Sequence, residues 1–281
     1  MKTINARTIT ETVRDLCLEA NLRLRPDVLL SLKQAYAKET NKRAGNILKA
    51  ILENAGIAKK EGLAICQDTG LPCVFVELGQ DVRIKGNLNL AINKGVESGY
   101  KKGYLRNSII RDPLKRGKPS YSPCIIHTDI VRGDKIKITV LPKGFGCENK
   151  TRLKMFNPTA KIEEIKEFIL ESVKLAGPDA CPPYVLGIGI GGSAEYACLL
   201  AKKALLKRVT KTPRHHVTSI TDKLEQELII EINHLNIGPM GLGGETTALS
   251  VNIETYATHI AGLPVCVNIS CHALRSAAKQ L

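Results

Sequence analysis

Three of the nine cysteines in this chain of 281 residues lie at boundaries between elements, where a side chain can point into a cleft. Cys66 begins the polar loop CQDTG, Cys181 begins the proline turn CPPY, and Cys271 closes the strand-like part of NISCHALR. Three thiolates from distant loops can hold a [4Fe–4S] cube by three corners, which leaves the fourth iron free to act as a Lewis acid. A nearby acid or base would then handle the proton. The spacing alone does not distinguish such a site from three structural cysteines.

The number and spacing of the cysteines argue against other familiar sites. Nine is an odd number, and the N-terminal sequence MKTINARTITETVRD has no apolar segment of a secretory signal, so a disulfide framework is not expected. No CxxC pair occurs, and local zinc-ribbon or ferredoxin spacing is therefore absent. Core positions are predicted for three cysteines in apolar helix or strand patterns: Cys17, Cys124 and Cys198.

A glycine motif offers an alternative function. The sequence GIGIGG at 187–192 satisfies GxGxxG, follows a predicted strand and precedes a predicted helix, as in a dinucleotide-binding oxidoreductase. However, no acidic residue ends a second strand about 20 residues later, where that fold binds the ribose. Close backbone packing, or helix-terminal amides that face an anion, are the other interpretations of these glycines. GPMGLGGE lacks the GK[ST] ending of a P-loop, and Ser193 lies in no GxSxG elbow.

The charge balance raises the question of nucleic-acid binding. Lys and Arg number 41 against 27 Asp and Glu, which gives a formal net charge of +14. Aromatic residues make up only 4% of the chain and Trp is absent, so platforms for base stacking are scarce. The basic residues are also dispersed, apart from a tract from Lys207 to His216. We therefore expect no nucleic-acid partner and interpret the charge as a solvated surface that can attract small anions.

The sequence pattern predicts the elements that must position these loops. The first sixty residues predict three helices, from Thr8 to about Leu24, from Pro26 onward, and from the cap residue Asn41 to Ala55. Further helices are predicted near residues 87–100, 158–176, 194–207 and 221–236, with a short C-terminal helix that holds Arg275. Strands are predicted near residues 74–78, 124–131, 135–141, 185–190, 247–254 and 264–270, the second and third being joined by a turn.

The fold class that follows is α/β (mixed α+β), with a helical N-terminal segment followed by a mixed sheet flanked by helices. No linker is evident, so a single domain is predicted over residues 1–281, with a helical subregion at 1–60 and the three cysteine loops in 61–281. A hydrophobic content of 43% excludes general disorder. The apolar runs are far shorter than the roughly 20 residues of a membrane-spanning helix, and we expect a cytoplasmic protein.

Five stretches, taken together and in order, resemble the class I, iron–sulfur-dependent fumarate hydratases and the related tartrate dehydratases. They are ICQDTGLPCVFV, KGFGCENKTRL, ACPPYVLGIGIGGSAE, GPMGLGGETTALSVNI and THIAGLPVCVNISCHALR. They run from Cys66 to Arg275, about three quarters of the chain. Each motif alone is weak, but CQDTG, CPPY and GGxT in succession are specific.

The resemblance implies a [4Fe–4S] cluster with one iron that no cysteine ligates, and it makes Cys66, Cys181 and Cys271 the three ligands. It also implies a set of residues that face the substrate. Asp68 would be catalytic, in proton transfer or in holding the hydroxyl and water, beside the substrate-binding Gln67. The remaining substrate-binding residues would be Arg106 as the grip on a carboxylate, Gly146 through its main-chain amide, and His259, 12 residues before Cys271.

The chain departs from the family pattern at one glycine loop. The family usually has GGGS or GAGS where this sequence has Gly144-Phe145-Gly146-Cys147. Phe145 narrows the loop, and Cys147 adds a thiol close to the expected site. Cys147 is kept out of the ligand set because the other three cysteines match better, and so are Cys73 and Cys266, which lie near ligands in the sequence.

The family's second half, which supplies further arginines, a lysine and a threonine base, is not part of this sequence. The chain therefore resembles the α subunit of a two-subunit hydro-lyase, and we expect it to be inactive without a separate β subunit, in an α2β2 assembly or with an α homodimer. The reaction implied is the reversible hydration of fumarate, a small dicarboxylate, to malate. The alternative is a tartrate dehydratase α subunit, whose substrate differs by one hydroxyl.

Overall fold

The structure, a computed structural model, describes residues 2–209 and 219–281. Most of the basic tract predicted from Lys207 to His216 lies outside the described residues. The chain divides into two compact units. The first unit comprises Met1–Arg25, Asn54–Phe145 and Arg275–Leu281, and the second comprises Pro26–Glu53 and Gly146–Leu274. The division therefore runs through the helical segment 1–60 rather than after it.

The elements are numbered in chain order. The helices are α1 (Ala6–Leu22), α2 (Pro26–Lys38), α3 (Lys42–Glu61), α4 (Leu88–Lys102), α5 (Phe145–Glu148), α6 (Ile162–Ala176), α7 (Ala194–Ala204) and α8 (Ile220–His234). The strands are β1 (Lys2–Asn5), β2 (Leu71–Gly79), β3 (Val82–Lys85), β4 (Ile125–Val131), β5 (Ile136–Lys143), β6 (Arg152–Phe156), β7 (Tyr184–Gly192), β8 (Ala248–Thr258), β9 (Leu263–Ser270) and β10 (Ala277–Gln280).

The first unit is built on a four-stranded mixed sheet in the order β10-β5-β2-β4. β2 is parallel to β4 and antiparallel to β5, so it lies between two strands that follow one another in the sequence. α1 packs against α4, where Gly95 and Gly99 allow close approach. A Cβ at either glycine would lie 2.7 Å from a main-chain oxygen of α1. Their apolar faces form a core with the sheet, in which Ile9, Val13 and Ile92 are fully buried.

The second unit is built on another mixed sheet, in the order β6-β9-β7-β8. β7 is central, parallel to β8 and antiparallel to β9. Because side chains alternate along a strand, Leu186 and Ile188 pack with α6 and α8 on one face. Cys266 of β9 packs with α7 on the other face. The unit thus has a helix–sheet–helix arrangement.

The glycines of GIGIGG are explained by this packing. Gly187 and Gly189 lie inside β7, and a Cβ at either would come within 2.0 Å of the main-chain oxygen of Ala201 or Ala197 in α7. They let α7 lie directly on the strand. In a dinucleotide fold the glycine-rich sequence forms the turn after the strand, with its amides facing the pyrophosphate. The structure therefore favours close packing over the oxidoreductase alternative.

The mixed α/β fold class is confirmed, and so are the three N-terminal helices, although α3 continues six residues beyond the predicted end at Ala55, to Glu61. The predicted C-terminal helix is wrong. Arg275 lies in an irregular segment, and residues 277–280 form β10, antiparallel to β5. The sequence Ala-Ala-Lys-Gln favours a helix only weakly, and pairing with the edge of a sheet overrides it. Among the described residues, no helix is long and apolar enough to cross a membrane.

Candidate active site

In the first unit, the loop at residues 66–70, which we call the CQDTG loop, is fixed by hydrogen bonds from distant parts of the chain. The hydroxyl of Tyr100 in α4 donates to the carbonyl of Thr69 over 2.7 Å. The main-chain N–H of Arg106 donates to the hydroxyl of Thr69 over 3.1 Å. Gly70 adopts φ +75°, and a Cβ there would lie 2.8 Å from the main-chain nitrogen of Lys143. The loop is thus held in one conformation by its own geometry and by its surroundings.

Tyr100 contributes as a neutral donor. Its side chain is 2% exposed, and this burial strongly raises the pKa of its phenol. Thr69, which receives its hydrogen bond, is also buried. The bond therefore satisfies a carbonyl that water does not reach, which is where a lost hydrogen bond costs most.

Asp68 is bound at all three of its oxygen atoms. The N–H of Gly70 donates to Oδ1 over 3.0 Å, and the N–H of Phe145 donates to Oδ2 over 2.8 Å. The guanidinium of Arg275 donates to the main-chain oxygen. The carboxylate is therefore oriented by main-chain amides, while each of its oxygens keeps further capacity to accept a proton or a hydrogen bond.

Four of the residues predicted for the site are found on or beside this loop. Cys66 is half-buried, with its sulfur 3.4 Å from Oε1 of the exposed Gln67, and Asp68 follows directly. The side chain of Arg106 is exposed, while its main chain is fastened to Thr69. The first unit therefore presents a thiol, an amide, a carboxylate and a guanidinium from one fixed segment and its neighbour.

In the second unit, the segments that carry Cys181 and Cys271 are joined. Cys181 follows a short 3-10 turn and adopts a left-handed conformation with φ +55°. Its carbonyl accepts the main-chain N–H of His272 over 3.3 Å and lies 3.0 Å from the Nδ1 atom of the same residue. Val185 pairs with Ser270, so both cysteines lie at the same end of the sheet. Two of the three predicted ligands are thus brought together in this unit.

Cys147, which was kept out of the predicted ligand set, lies beside the turn that carries Cys181. Its sulfur donates to the carbonyl of Ala180, the residue before Cys181, over 3.3 Å. Burial is the main cause of the raised pKa of the Tyr184 phenol, and electrostatic interactions with the thiols of Cys147, Cys181 and Cys271 raise it further. The buried Cys147 therefore supports the turn that presents Cys181.

Gly146 lies next to this group, whereas His259 does not. A Cβ on the exposed Gly146 would meet only the carbonyl oxygen of Asp179, at 3.9 Å, so Gly146 lies beside the turn before Cys181. His259 lies in the turn between β8 and β9, where its Nδ1 accepts the N–H of Ala261. Cys271 follows the other end of β9, whose eight residues span about 27 Å. His259 and Cys271 therefore lie at opposite ends of β9, and the predicted contact of His259 with substrate stays a prediction.

Burial separates the cysteines into two classes. All nine lie in described residues without a disulfide, and five of them are buried. The half-buried ones are Cys66, Cys181, Cys198 and Cys271, which include the three predicted ligands. Burial raises the pKa of Cys124 to about 12 and also raises that of Cys17 and Cys266. These three thiols lie in the core, whereas the half-buried thiols at loop ends are accessible to a cluster.

The donor chemistry fits an iron–sulfur cluster. Within the described ranges, no three His, Cys, Asp or Glu side chains form a site for a single metal ion. The three accessible thiols at loop ends are the ligand type that iron–sulfur clusters use. In addition, Arg275, which is 3% exposed, keeps Nε and Nη1 buried without a partner among the described residues. A buried cation of this kind suits a neighbouring anionic group.

Comparisons with known proteins cover nearly the whole chain. A family model described as fumarate hydratase (Fumerase) matches residues 10–280. The chain is 42% identical over 280 residues to the putative L(+)-tartrate dehydratase subunit alpha of Methanocaldococcus jannaschii, with 97% of both chains covered. It is 30% identical over 272 residues to the L(+)-tartrate dehydratase subunit alpha of Escherichia coli strain K12, with 95% of this chain and 88% of the relative covered. The range of the family model includes all three cysteine loops.

Proposed function

This chain belongs to the fumarate hydratase (Fumerase) family, and on that premise we propose that it is the cluster-bearing α subunit of a hydro-lyase that acts on a small dicarboxylate. The observation that carries the proposal is that Cys66, Cys181 and Cys271 are half-buried at the ends of loops, whereas Cys198, the fourth half-buried cysteine, lies within α7. We propose these residues as ligands of a [4Fe–4S] cluster. When bound, its fourth iron would supply the Lewis acid that polarises the departing hydroxyl.

The residues of the chain would bind and orient the substrate. Asp68, oriented by two main-chain amides, would hold the hydroxyl or the water and exchange its proton. Arg106 has an exposed side chain on an anchored main chain, which suits a bidentate grip on one carboxylate. Gly146 would offer its main-chain amide to the substrate. His259 stays a predicted substrate contact, without support from proximity to the cysteines of this chain.

The names of the relatives support a two-subunit enzyme. Both are named as subunit alpha, and the chain covers most of their length. We therefore propose that a separate β subunit completes the enzyme and removes the proton from carbon. The assembly would be α2β2, or would include an α homodimer. The isolated α chain would then bind the cluster without turnover.

Two substrates fit this proposal. The reversible hydration of fumarate to malate is the first candidate, and the description of the family model supports it. Dehydration of tartrate is the second candidate, because both relatives are named L(+)-tartrate dehydratase. The substrates differ by one hydroxyl, which only a few contacts select. Side-by-side assays of malate and tartrate with the cognate β subunit separate the candidates by the ratio of kcat/KM.

The proposal is tested by reconstituting the α chain with iron and sulfide without air, then adding the β subunit. Cys181→Ser should abolish both cluster uptake and turnover. Cys198→Ser is the matched control, because Cys198 is the remaining half-buried cysteine and lies on α7. It should take up the cluster like the wild type. A wild-type chain that binds no cluster, or a Cys181→Ser variant that loses nothing, would refute the proposal.

A further inference from the structure

Arg275 is a buried cation that the expected chemistry does not account for. It lies in the first unit, between the family's third cysteine motif and β10, and its side chain is 3% exposed. One nitrogen, Nη2, donates to the main-chain oxygen of Asp68. Nε and Nη1 are buried and have no hydrogen-bond partner among the described residues. Nor does Arg275 form an ion pair within the part of the chain that the structure describes.

Stability of the fold alone does not explain this arrangement. A guanidinium carries five N–H donors and a permanent charge, and burying it without a counter-charge is costly. A neutral amide could donate to the same carbonyl without the cost of burying a charge. The carboxylate of Asp68 does not compensate Arg275 by direct contact: among the described residues it accepts the main-chain amides of Gly70 and Phe145, and the guanidinium bonds only to the main-chain oxygen of Asp68. The charge is therefore explained better by an anionic group that the working enzyme holds at this loop.

The position of Arg275 indicates which anionic groups its charge stabilises. Its bond to Asp68 fixes the middle of the CQDTG loop, two residues after Cys66 and one before Thr69, which Tyr100 holds from α4. The carbonyls of Asp68 and Thr69, two successive residues, thus accept one hydrogen bond from a cation and one from a neutral hydroxyl. Under the proposed function, this loop carries a thiolate ligand and faces a dicarboxylate, both of which are anions. A nearby buried positive charge stabilises such anions more strongly than a surface charge does.

We propose that Arg275 is a positioning residue of the hydro-lyase site, which fixes the main chain of Asp68 and supplies the positive charge that the anionic occupants of the CQDTG loop require. The inference rests on the proposed function. It assigns Arg275 no contact with substrate: its effect on turnover passes through Asp68, and its effect on the cluster passes through the loop that bears Cys66.

The test uses the full α–β enzyme, loaded with cluster without air, in three variants. Arg275→Met removes the charge and the donors, and Arg275→Lys keeps the charge without the planar fork. Arg83→Met is the control, because Arg83 is exposed on β3 of the same unit. Four quantities are measured: iron per chain, the electron paramagnetic resonance spectrum of the cluster after one-electron reduction with dithionite, kcat and KM separately, and the thermal midpoint of the cluster-free α chain.

The expected result is a fall in kcat of about 10- to 100-fold in both Arg275 variants, the range for residues that support metal-site ligands, with a smaller change in KM. The resonance spectrum should change in Arg275→Met and be partly restored in Arg275→Lys, because the lysine keeps the charge. Arg83→Met should match the wild type in every measurement.

Two results overturn the inference and are distinguishable from each other. If Arg275→Lys, or Arg275→Met where it folds, keeps the wild-type kcat and spectrum and only the thermal midpoint falls, Arg275 merely fastens the C-terminal segment. A wild-type enzyme that binds no iron overturns the proposed function together with this inference. If the wild-type enzyme binds the cluster and the Arg275 variants have the same kcat and spectrum, the inference alone is overturned.

Discussion

The orientation of Asp68 by the main chain can be tested by deleting one N–H group. Phe145 is the first residue of α5, and its N–H donates to Oδ2 of Asp68 over 2.8 Å. Proline is well tolerated at the first position of a helix, because its fixed φ suits the helix and no intrahelical bond is lost. Phe145→Pro should therefore remove the bond to Asp68 while it retains α5. Phe145→Ala is the matched control, since it removes the exposed ring and keeps the N–H.

The size of the effect follows from the type of bond. A hydrogen bond to a charged group contributes about 1.5–3 kcal/mol. If that energy orients Asp68 in the transition state, its loss lowers kcat by roughly 10- to 150-fold, at about 1.4 kcal/mol per factor of ten. The second amide, from Gly70, remains in the variant, which places the expected effect toward the lower end of that range.

The assay is the steady-state kinetics of the α–β enzyme with malate or tartrate, with iron per chain measured on the same samples. Phe145→Pro should lose kcat at unchanged iron content, and Phe145→Ala should stay within about threefold of the wild type, a difference of roughly 0.6 kcal/mol. Equal losses in both variants would assign the effect to the ring. Wild-type kcat in the fully loaded Phe145→Pro enzyme would refute the argument that the amide orients Asp68.

Three further predictions concern stability. Tyr100→Phe, which leaves the carbonyl of Thr69 unsatisfied, should lower the free energy of unfolding by about 1–3 kcal/mol in urea titrations, whereas Tyr36→Phe at an exposed position should change it little. Gly189→Ala should lower the free energy of unfolding by about 1–3 kcal/mol or more, because its methyl group would clash with α7. The control Gly56→Ala has open space around its position in α3 and should be neutral or stabilising. Thermal scans of both variants measure the difference. Burial raises the pKa of Cys124 to about 12, so near pH 9 only the thiol of the unfolded chain ionises. The free energy of unfolding should therefore fall as the pH rises above 9. Cys124→Ala should reduce this loss of stability between pH 7 and pH 10, as measured by urea titrations.

The helices and the loop chemistry were predictable from local sequence. The helices of the N-terminal segment carry apolar residues at helical spacing, and Pro26 begins α2 as expected. CQDTG contains the glycine that the turn into β2 needs, at φ +75°. Such features depend on a few neighbouring residues, so their pattern is visible without the fold.

Features that depend on distant residues were not predictable. β4 and β5 follow one another in the sequence, yet β2 separates them in the sheet. Tyr100 reaches the CQDTG loop from 31 residues away, and Arg275 reaches it from 207 residues away. A segment such as residues 277–280 becomes a strand only because the edge of β5 is open to it. Pairing partners of this kind leave no periodic pattern in their own segment.

The position of His259 shows that spacing along the sequence is not distance in the fold. Twelve residues separate it from Cys271, a short interval in the sequence. Because β9 is extended and lies between them, that interval spans the length of the sheet. In contrast, Cys181 and Cys271 are 90 residues apart and meet through His272. Sequence motifs identified the reactive residue types, and the strand directions decided which of them lie together.

The most direct test of the proposed cluster is the content of iron and acid-labile sulfide per α chain, measured without air after reconstitution of the wild type and of Cys66→Ser. We expect about four iron and four sulfide per wild-type chain, as in one [4Fe–4S] cluster. Cys66→Ser should lose most of this content, while Cys198→Ser should retain it. A wild-type chain without iron, or a Cys66→Ser chain with an intact and equally stable cluster, would contradict the proposal.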